Sequence, residues 1–92
     1  MIIDWLPKAH RNRFEQLDYI AEDKPLAAIG QDEEIERQVA MLIEHPKMGR
    51  LGRVPGTREL IISSTPFVVV YRLDGANRIE ILRLLHSSQQ WP

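Results

Sequence analysis

The clearest periodicity in the chain is helical. Ile35, Val39, Leu42 and Ile43 recur at i, i+4, i+7 and i+8, while Asp32, Glu33, Glu36 and Arg37 fall mostly off that stripe. The segment therefore predicts a helix with one apolar face. Phe14, Leu17 and Ala21, with Ile20 beside them, repeat at similar spacing and predict an earlier helix over residues 7–22. Pro7 opens that helix at a position where a missing N–H is harmless. Asp23-Lys24-Pro25 ends the first helix and begins the second, with Asp23 as the expected cap and Pro25 near the first turn. Gly30, inside the second helix, is about 1 kcal/mol poorer than alanine in helix propensity and marks a place for a bend or close packing. His45-Pro46 closes the helix. Ahead of the pair, Ile2-Ile3-Asp4-Trp5 is short, apolar and aromatic, and reads as a strand.

The pattern changes after Pro46. Residues 46–57 hold three glycines and two prolines among twelve positions, the composition of a loop and longer than a simple connection requires. Long ordered loops carry function more often than short ones. Three strands are predicted beyond it. Residues 58–63 form the first, Ser64-Thr65-Pro66 turns the chain, and residues 67–73 are apolar on both faces, as suits a central strand. Asp74-Gly75-Ala76-Asn77 has hairpin chemistry, residues 78–86 form the third strand, and residues 87–92 are polar until Trp91. The predicted class is α+β: an N-terminal strand, a two-helix hairpin, then a three-stranded antiparallel meander (β-α-α-β-β-β), in a single domain over residues 1–92.

Composition narrows the class. A chain of 92 residues has room for one modest core, burying roughly 60–65% of its unfolded surface. An apolar fraction of 43% and a charged fraction of 27% suit a globular rather than a disordered protein. There is no cysteine, which excludes a disulfide framework and thiolate metal sites and suits a reducing, cytoplasmic setting. No basic segment followed by a long apolar run marks a signal peptide, and no apolar run approaches the ~20 residues of a membrane span.

The formal net charge of −1 hides an asymmetry. Residues 1–45 carry five basic and ten acidic side chains, a balance of −5; residues 46–92 carry seven basic and three acidic, a balance of +4. A positive second half fits phosphate or an acidic protein surface, although the whole is far from the basic character usual in nucleic-acid binders. No catalytic, cofactor or metal signature stands out. Gly49 and Gly52 follow a helix and precede a strand, the reverse of a phosphate-binding turn, and His10, His45 and His86 share no ligand spacing.

The concentrated chemistry is arginine. Arg50 and Arg53 lie in the glycine-rich loop, Arg58 starts a strand, and Arg72 and Arg83 lie in the next two strands. Guanidinium groups bind phosphate or carboxylate through a planar fork. These arginines are expected to form one continuous face that docks onto something larger; the plainer alternative is a soluble surface with ion pairs to Glu59 and Glu80. His86 is of the residue type that titrates near neutrality and serves acid–base chemistry. Strict alternation puts Arg83 with Ile79 and Ile81, and His86 with Leu82 and Leu84 on the opposite face, unless the strand ends or bulges between them.

Read in order, several segments resemble the RelE/ParE family of bacterial toxins from type II toxin–antitoxin systems. They are Pro46 followed by Gly49-Arg50, Val54-Pro55-Gly56-Thr57-Arg58-Glu59-Leu60, Pro66-Phe67-Val68-Val69-Val70-Tyr71-Arg72, and Ile81-Leu82-Arg83-Leu84-Leu85-His86. Trp5 and Ala9, Tyr19-Ile20-Ala21-Glu22-Asp23, Pro25 and Ala27-Ala28 match at the start, so the resemblance runs from about residue 3 onward. It implies a β-α-α-β-β-β domain without cofactor, neutralised by a cognate antitoxin whose C-terminal segment, partly disordered when free, wraps the toxin. It implies two targets as well: DNA gyrase for ParE-like members, and messenger RNA in the ribosome for RelE-like endoribonucleases.

Nuclease members often carry His-Arg-Leu-Val-Tyr on the central strand, with the arginine acting at the scissile phosphate. Phe67 and Val68 stand in the corresponding places before Tyr71, which removes cationic stabilisation that phosphate cleavage needs. The near-neutral net charge also favours the ParE-like branch, since ribosomal ligands gain affinity from phosphate contacts. The favoured expectation is thus a non-catalytic, growth-inhibiting toxin that binds gyrase. Its rivals are a ribosome-dependent endoribonuclease using Arg83 and His86, supported by Arg58 and Arg72, and a non-toxic relic that only binds antitoxin. Residues expected to meet antitoxin or target are Arg50, Arg53, Arg58, Glu59, Tyr71, Arg72, Arg83, His86 and Trp91, the last packing back on the fold or covering the site.

Overall fold

The computed structural model describes residues 1–92 and begins with strand β1 (Ile2–Trp5). Pro7 then opens helix α1 (Pro7–Asp23) and Pro25 opens α2 (Pro25–Ala40), each in a first turn that needs no N–H from it. Lys24 alone separates the helices, its backbone (φ −135°, ψ 76°) turning the chain. Asp23 is not the cap, because it is the last residue of α1. Backbone bonds close the junction instead, from the Lys24 N–H to the Ile20 carbonyl (2.7 Å) and from the Ala28 N–H to the Lys24 carbonyl (3.1 Å).

The helical stripe holds at Ile35, Val39 and Leu42 but not at its end. α2 stops at Ala40 and tightens into a 3-10 turn over Met41–Ile43, short of His45. The tighter turn keeps Leu42 buried and rotates Ile43 outward to 43% exposure. Phe14 is likewise on the surface, 67% exposed, so Ala9, Leu17 and Ile20 make the contact of α1 with the core. α2 runs unbroken through Gly30, and nothing packs closely on it: a β-carbon there would meet nothing within 4 Å. Gly30→Ala is expected to stabilise the protein by about 1 kcal/mol, raising the urea midpoint at an unchanged m-value.

Four strands follow: β2 (Arg50–Leu51), β3 (Arg58–Ile61), β4 (Phe67–Asp74) and β5 (Arg78–His86). The predicted antiparallel meander is present as β3-β4-β5, with β3 ending at Ile61 and β4 running to Asp74. Two additions make a five-stranded mixed sheet of order β1-β5-β4-β3-β2. β1 pairs in parallel with β5, from Ile2↔Arg78 to Trp5↔Ile81, the long connection that parallel strands need passing through both helices and then β2, β3 and β4. The glycine-rich segment is not wholly irregular either, since its Arg50 and Leu51 pair with Glu59 and Arg58. Within it, Val54-Pro55-Gly56-Thr57 forms a turn with Gly56 at φ 84° and the Thr57 N–H on the Val54 carbonyl at 3.1 Å, where proline then glycine is the preferred pair.

The helices cover one face of the sheet. Ala9, Ile35, Val39 and Leu42 pack there on Leu60, Ile62, Phe67, Val69, Tyr71, Ile79, Ile81 and Leu84. Val68, Val70 and Leu82 are buried too but lie outside that cluster, on the opposite face. The β4–β5 register explains Leu82: Val70 pairs with Arg83 and Tyr71 with Ile81, so Leu82 is an extra, bulged residue.

Candidate functional site

The bulge decides what the outer face of the sheet displays. Glu59, Val70 and Arg83 form one row across β3, β4 and β5, and Arg72 pairs with Glu80 in a neighbouring row. Arg83 is therefore not on the face of Ile79 and Ile81, as strict alternation requires, because Leu82 shifts the phase by one residue. The apolar doublet Ile81-Leu82 is the mark of that shift in the sequence. His86 keeps the opposite parity, paired with Phe67 on the core side, their rings edge to face at 6.4 Å between centroids.

Arg58 and Tyr71 do not belong to the outer face. They pair with each other across β3 and β4 on the helix side. Tyr71 is fully buried; its hydroxyl donates to the Pro46 carbonyl (2.8 Å) and accepts from the Gly49 N–H (2.9 Å). Burial pushes this phenol above its ordinary pKa range, against the opposing pull of the Gly49 N–H. Arg58 Nη1 donates to the carbonyls of Gly49 (2.8 Å) and Lys47 (3.3 Å). Both side chains pin residues 46–49 beneath the sheet end. The expected single face of five arginines is thus corrected to four: Arg50, Arg53, Arg72 and Arg83.

Three of those four are matched by carboxylates. Arg50 Nη2 lies 3.0 Å from Glu59 Oε1, and Arg53 reaches Glu59 Oε2 through its backbone N–H (3.2 Å) and Nε (4.0 Å). Arg72 Nε lies 2.7 Å from Glu80 Oε1. Arg83 has no acidic partner. Its Nη1 donates to the neighbouring Leu82 carbonyl and its guanidinium stacks on the Trp91 ring, 5.0 Å from the centroid.

Glu59 is only 4% exposed. Burial pushes its carboxyl pKa up, but the Arg50 hydrogen bond, the Arg53 N–H and the two guanidinium charges outweigh it and hold the carboxyl below the ordinary glutamate range. A group with a depressed folded pKa stabilises fully above its unfolded pKa and loses that contribution as pH falls through the folded value. Glu59→Gln should remove this slope. We expect it to lower stability by about 1–3 kcal/mol at pH 7, with the gap from wild type closing as pH is taken from about 5 to 3. Glu34, also lowered by its hydrogen bonds from Arg37 and Gln38, contributes a slope that both proteins share. Urea denaturation as a function of pH measures the difference; a gap that is constant across that range excludes the Arg–Glu–Arg contact as its source.

A cavity of about 230 Å³ adjoins this cluster, bordered by Arg50, Arg53, Glu59, His86 and Trp91. The Ser88 N–H donates to His86 Nδ1 (3.2 Å) and Ser88 Oγ lies 2.8 Å from the same atom, which leaves the neutral ring's proton on Nε2. Arg83 does not line this cavity, so Arg83 and His86 are not brought to one point. No three His, Asp or Glu side chains gather to hold a metal ion. The arrangement can bind a carboxylate or phosphate through a guanidinium, while its proton-transfer candidate sits apart from its one unmatched cation.

A second surface has no counterpart in the candidate residues read from the sequence. An apolar groove of about 700 Å³ runs between α1 and α2, with Phe14, Leu17 and Ile29 in its lining and Asp18, Asp32 and Glu33 beside them. Its signal was Phe14 and Ile29, apolar residues on helix faces that the core does not use.

Comparison with known proteins places these features in a family context. The family model of the ParE toxin of type II toxin–antitoxin systems (parDE) matches residues 3–91. The putative toxin Y4kP of Sinorhizobium fredii (strain NBRC 101917 / NGR234) is 39% identical over 90 residues, a stretch covering 98% of this chain and 92% of that protein. A solved chain described as the chromosomal ParDE TA system from P. aeruginosa superposes with a TM-score of 0.83 at 29% identity, covering 94% of this chain and 95% of its own.

Proposed function

Because the chain belongs to the family of ParE toxins of type II toxin–antitoxin systems, we propose that it arrests growth in the cytoplasm by binding DNA gyrase, without catalysis, and that a cognate antitoxin neutralises it. The observation that carries this reading is the charge pairing on the outer face. Glu59 engages Arg50 and Arg53, and Glu80 engages Arg72. Phosphate cleavage needs unengaged cations and a proton carrier at the same phosphate, whereas a face of paired charges around buried valines suits docking onto a protein. The apolar groove between the helices supports a protein partner as well, since exposed apolar patches of this kind mark interaction sites. No helix is long and apolar enough to cross a membrane.

The second reading, ribosome-dependent cleavage of messenger RNA, draws on His86 sharing a cavity with Arg50 and Arg53. Purified protein added to a gyrase supercoiling reaction and to a translating ribosome separates the two. Gyrase inhibition that the antitoxin reverses is the expected result. Discrete cuts in the messenger, lost in His86→Ala, would establish the second reading instead. A protein that binds antitoxin and does neither would be a relic.

A further inference from the structure

The outer face holds one unmatched cation, and a removable side chain covers it. Arg83 has no carboxylate, while the other three arginines of that face do. Its guanidinium lies under the Trp91 ring, and Trp91 Nε1 is buried with no hydrogen-bond acceptor. The segment after β5 is tied down only as far as Gln89. The Ser87 N–H reaches the Pro66 carbonyl (2.7 Å), the Gln89 N–H the His86 carbonyl (2.9 Å), and Gln89 Oε1 accepts from the His86 N–H (2.7 Å). Gln90, Trp91 and Pro92 make no hydrogen bond. The indole is thus held by its stacking on Arg83 and by apolar contact, against the penalty of its own unsatisfied N–H.

We propose that Trp91 is a displaceable lid on Arg83, and that what replaces it is an acidic, apolar segment of the antitoxin, with one carboxylate on the Arg83 guanidinium. This rests on the toxin–antitoxin reading above. Charge and shape select the occupant. Glu59 and Glu80, in Arg83's own and the neighbouring row, are already engaged by Arg50, Arg53 and Arg72. Arg83 is thus the one cation there without a carboxylate, and a phosphate backbone with a charge on every unit brings more negative charge than that single vacancy matches. A single carboxylate followed by an apolar side chain does not. It satisfies the cation that the indole leaves unmatched and covers the apolar surface that the indole covers, beside the exposed Ile61. Because the lid must open first, the antitoxin's apparent affinity is reduced by the open fraction.

The test uses the full chain labelled with 5-fluorotryptophan, which reports Trp5 and Trp91 as two fluorine resonances assigned with Trp91→Phe. On titration with the cognate antitoxin, the Trp91 resonance should move toward the position of a solvent-exposed indole while Trp5, stacked on Arg13 on the other side of the molecule, stays put. Trp91→Ala should tighten antitoxin binding about 3- to 10-fold, and Arg83→Gln should weaken it about 10-fold or more. A complex that forms with an unmoved Trp91 resonance, or with Trp91→Ala binding no tighter than wild type, overturns the lid alone. Unchanged affinity in Arg83→Gln overturns the carboxylate contact. Absence of any complex, measured by co-elution, overturns the toxin–antitoxin reading and the lid with it.

Discussion

Gly49→Ala is expected to destabilise the protein by about 3–4 kcal/mol, combining overpacking with the loss of buried hydrogen bonds. For a domain of this size that lowers the melting temperature by roughly 12–30 °C. The cause is a three-way contact. A β-carbon at residue 49 would lie 2.7 Å from both Tyr71 Cε1 and Tyr71 Oη, and 3.0 Å from the backbone carbonyl oxygen of Glu59. Neither neighbour can yield cheaply. The tyrosine is fully buried in the core, and the Glu59 carbonyl belongs to a strand paired on both sides. Relief requires moving the ring, which breaks the Tyr71 bonds to Pro46 and Gly49 together. Tyr71→Phe isolates the second half of that loss and should cost about 2–3 kcal/mol. The double variant should cost clearly less than the sum, because both changes act on the same two bonds. Urea denaturation of the four proteins closes the cycle. A Gly49→Ala protein within about 1 kcal/mol of wild type would mean that residues 46–49 can lift away without consequence.

How much of this was legible in the sequence depended on whether the signal was local. The helices, the meander and the hairpin at Asp74-Gly75-Ala76-Asn77 were readable because periodicity, proline and turn residues act over a few positions. The parallel partner of β5 was not, since nothing within Ile2-Ile3-Asp4-Trp5 specifies a strand more than seventy residues away. The pairing of Arg50 and Leu51 was hidden by the glycines around them. For the candidate site, the arginines were visible as residues but not as neighbours. One bulge at Leu82 moved Arg83 to the opposite face, and one buried hydroxyl drew Tyr71 and the loop beneath it into the core side. Arg58, read as part of the binding face, serves the Gly49 and Lys47 carbonyls. A guanidinium satisfies backbone oxygens as readily as a ligand, and sequence does not distinguish the two uses.

Gln38→Ala tests a second long-range contact of that kind and is expected to cost about 2–3 kcal/mol. Gln38 is a buried polar residue on an otherwise apolar helix face. Its amide does for Ser63 what a neighbouring strand would. Oε1 accepts the Ser63 N–H at 2.8 Å and Nε2 donates to the Ser63 carbonyl at 3.0 Å, while Nε2 also reaches Glu34 Oε2 at 2.8 Å. The place matters because β2 covers only Arg58 and Glu59 of β3, leaving the rest of that edge without a strand beside it. An alanine would strip both partners from Ser63 and open a gap between α2 and the sheet edge. Gln38→Glu sharpens the test. An ionised carboxylate keeps the acceptor, loses the donor and stands beside Glu34, so at pH 7 it should destabilise at least as much as alanine. Below about pH 4 the protonated acid can donate again and part of the loss should return. Removing the amide should also raise the Glu34 pKa, which hydrogen bonds from Arg37 and then Gln38 hold down. Denaturation of both variants, hydrogen exchange at the Ser63 amide and a carboxyl titration of Glu34 read these effects independently. Stability of Gln38→Ala within about 0.5 kcal/mol of wild type, with Ser63 still protected, would show that water serves this edge as well as the side chain does.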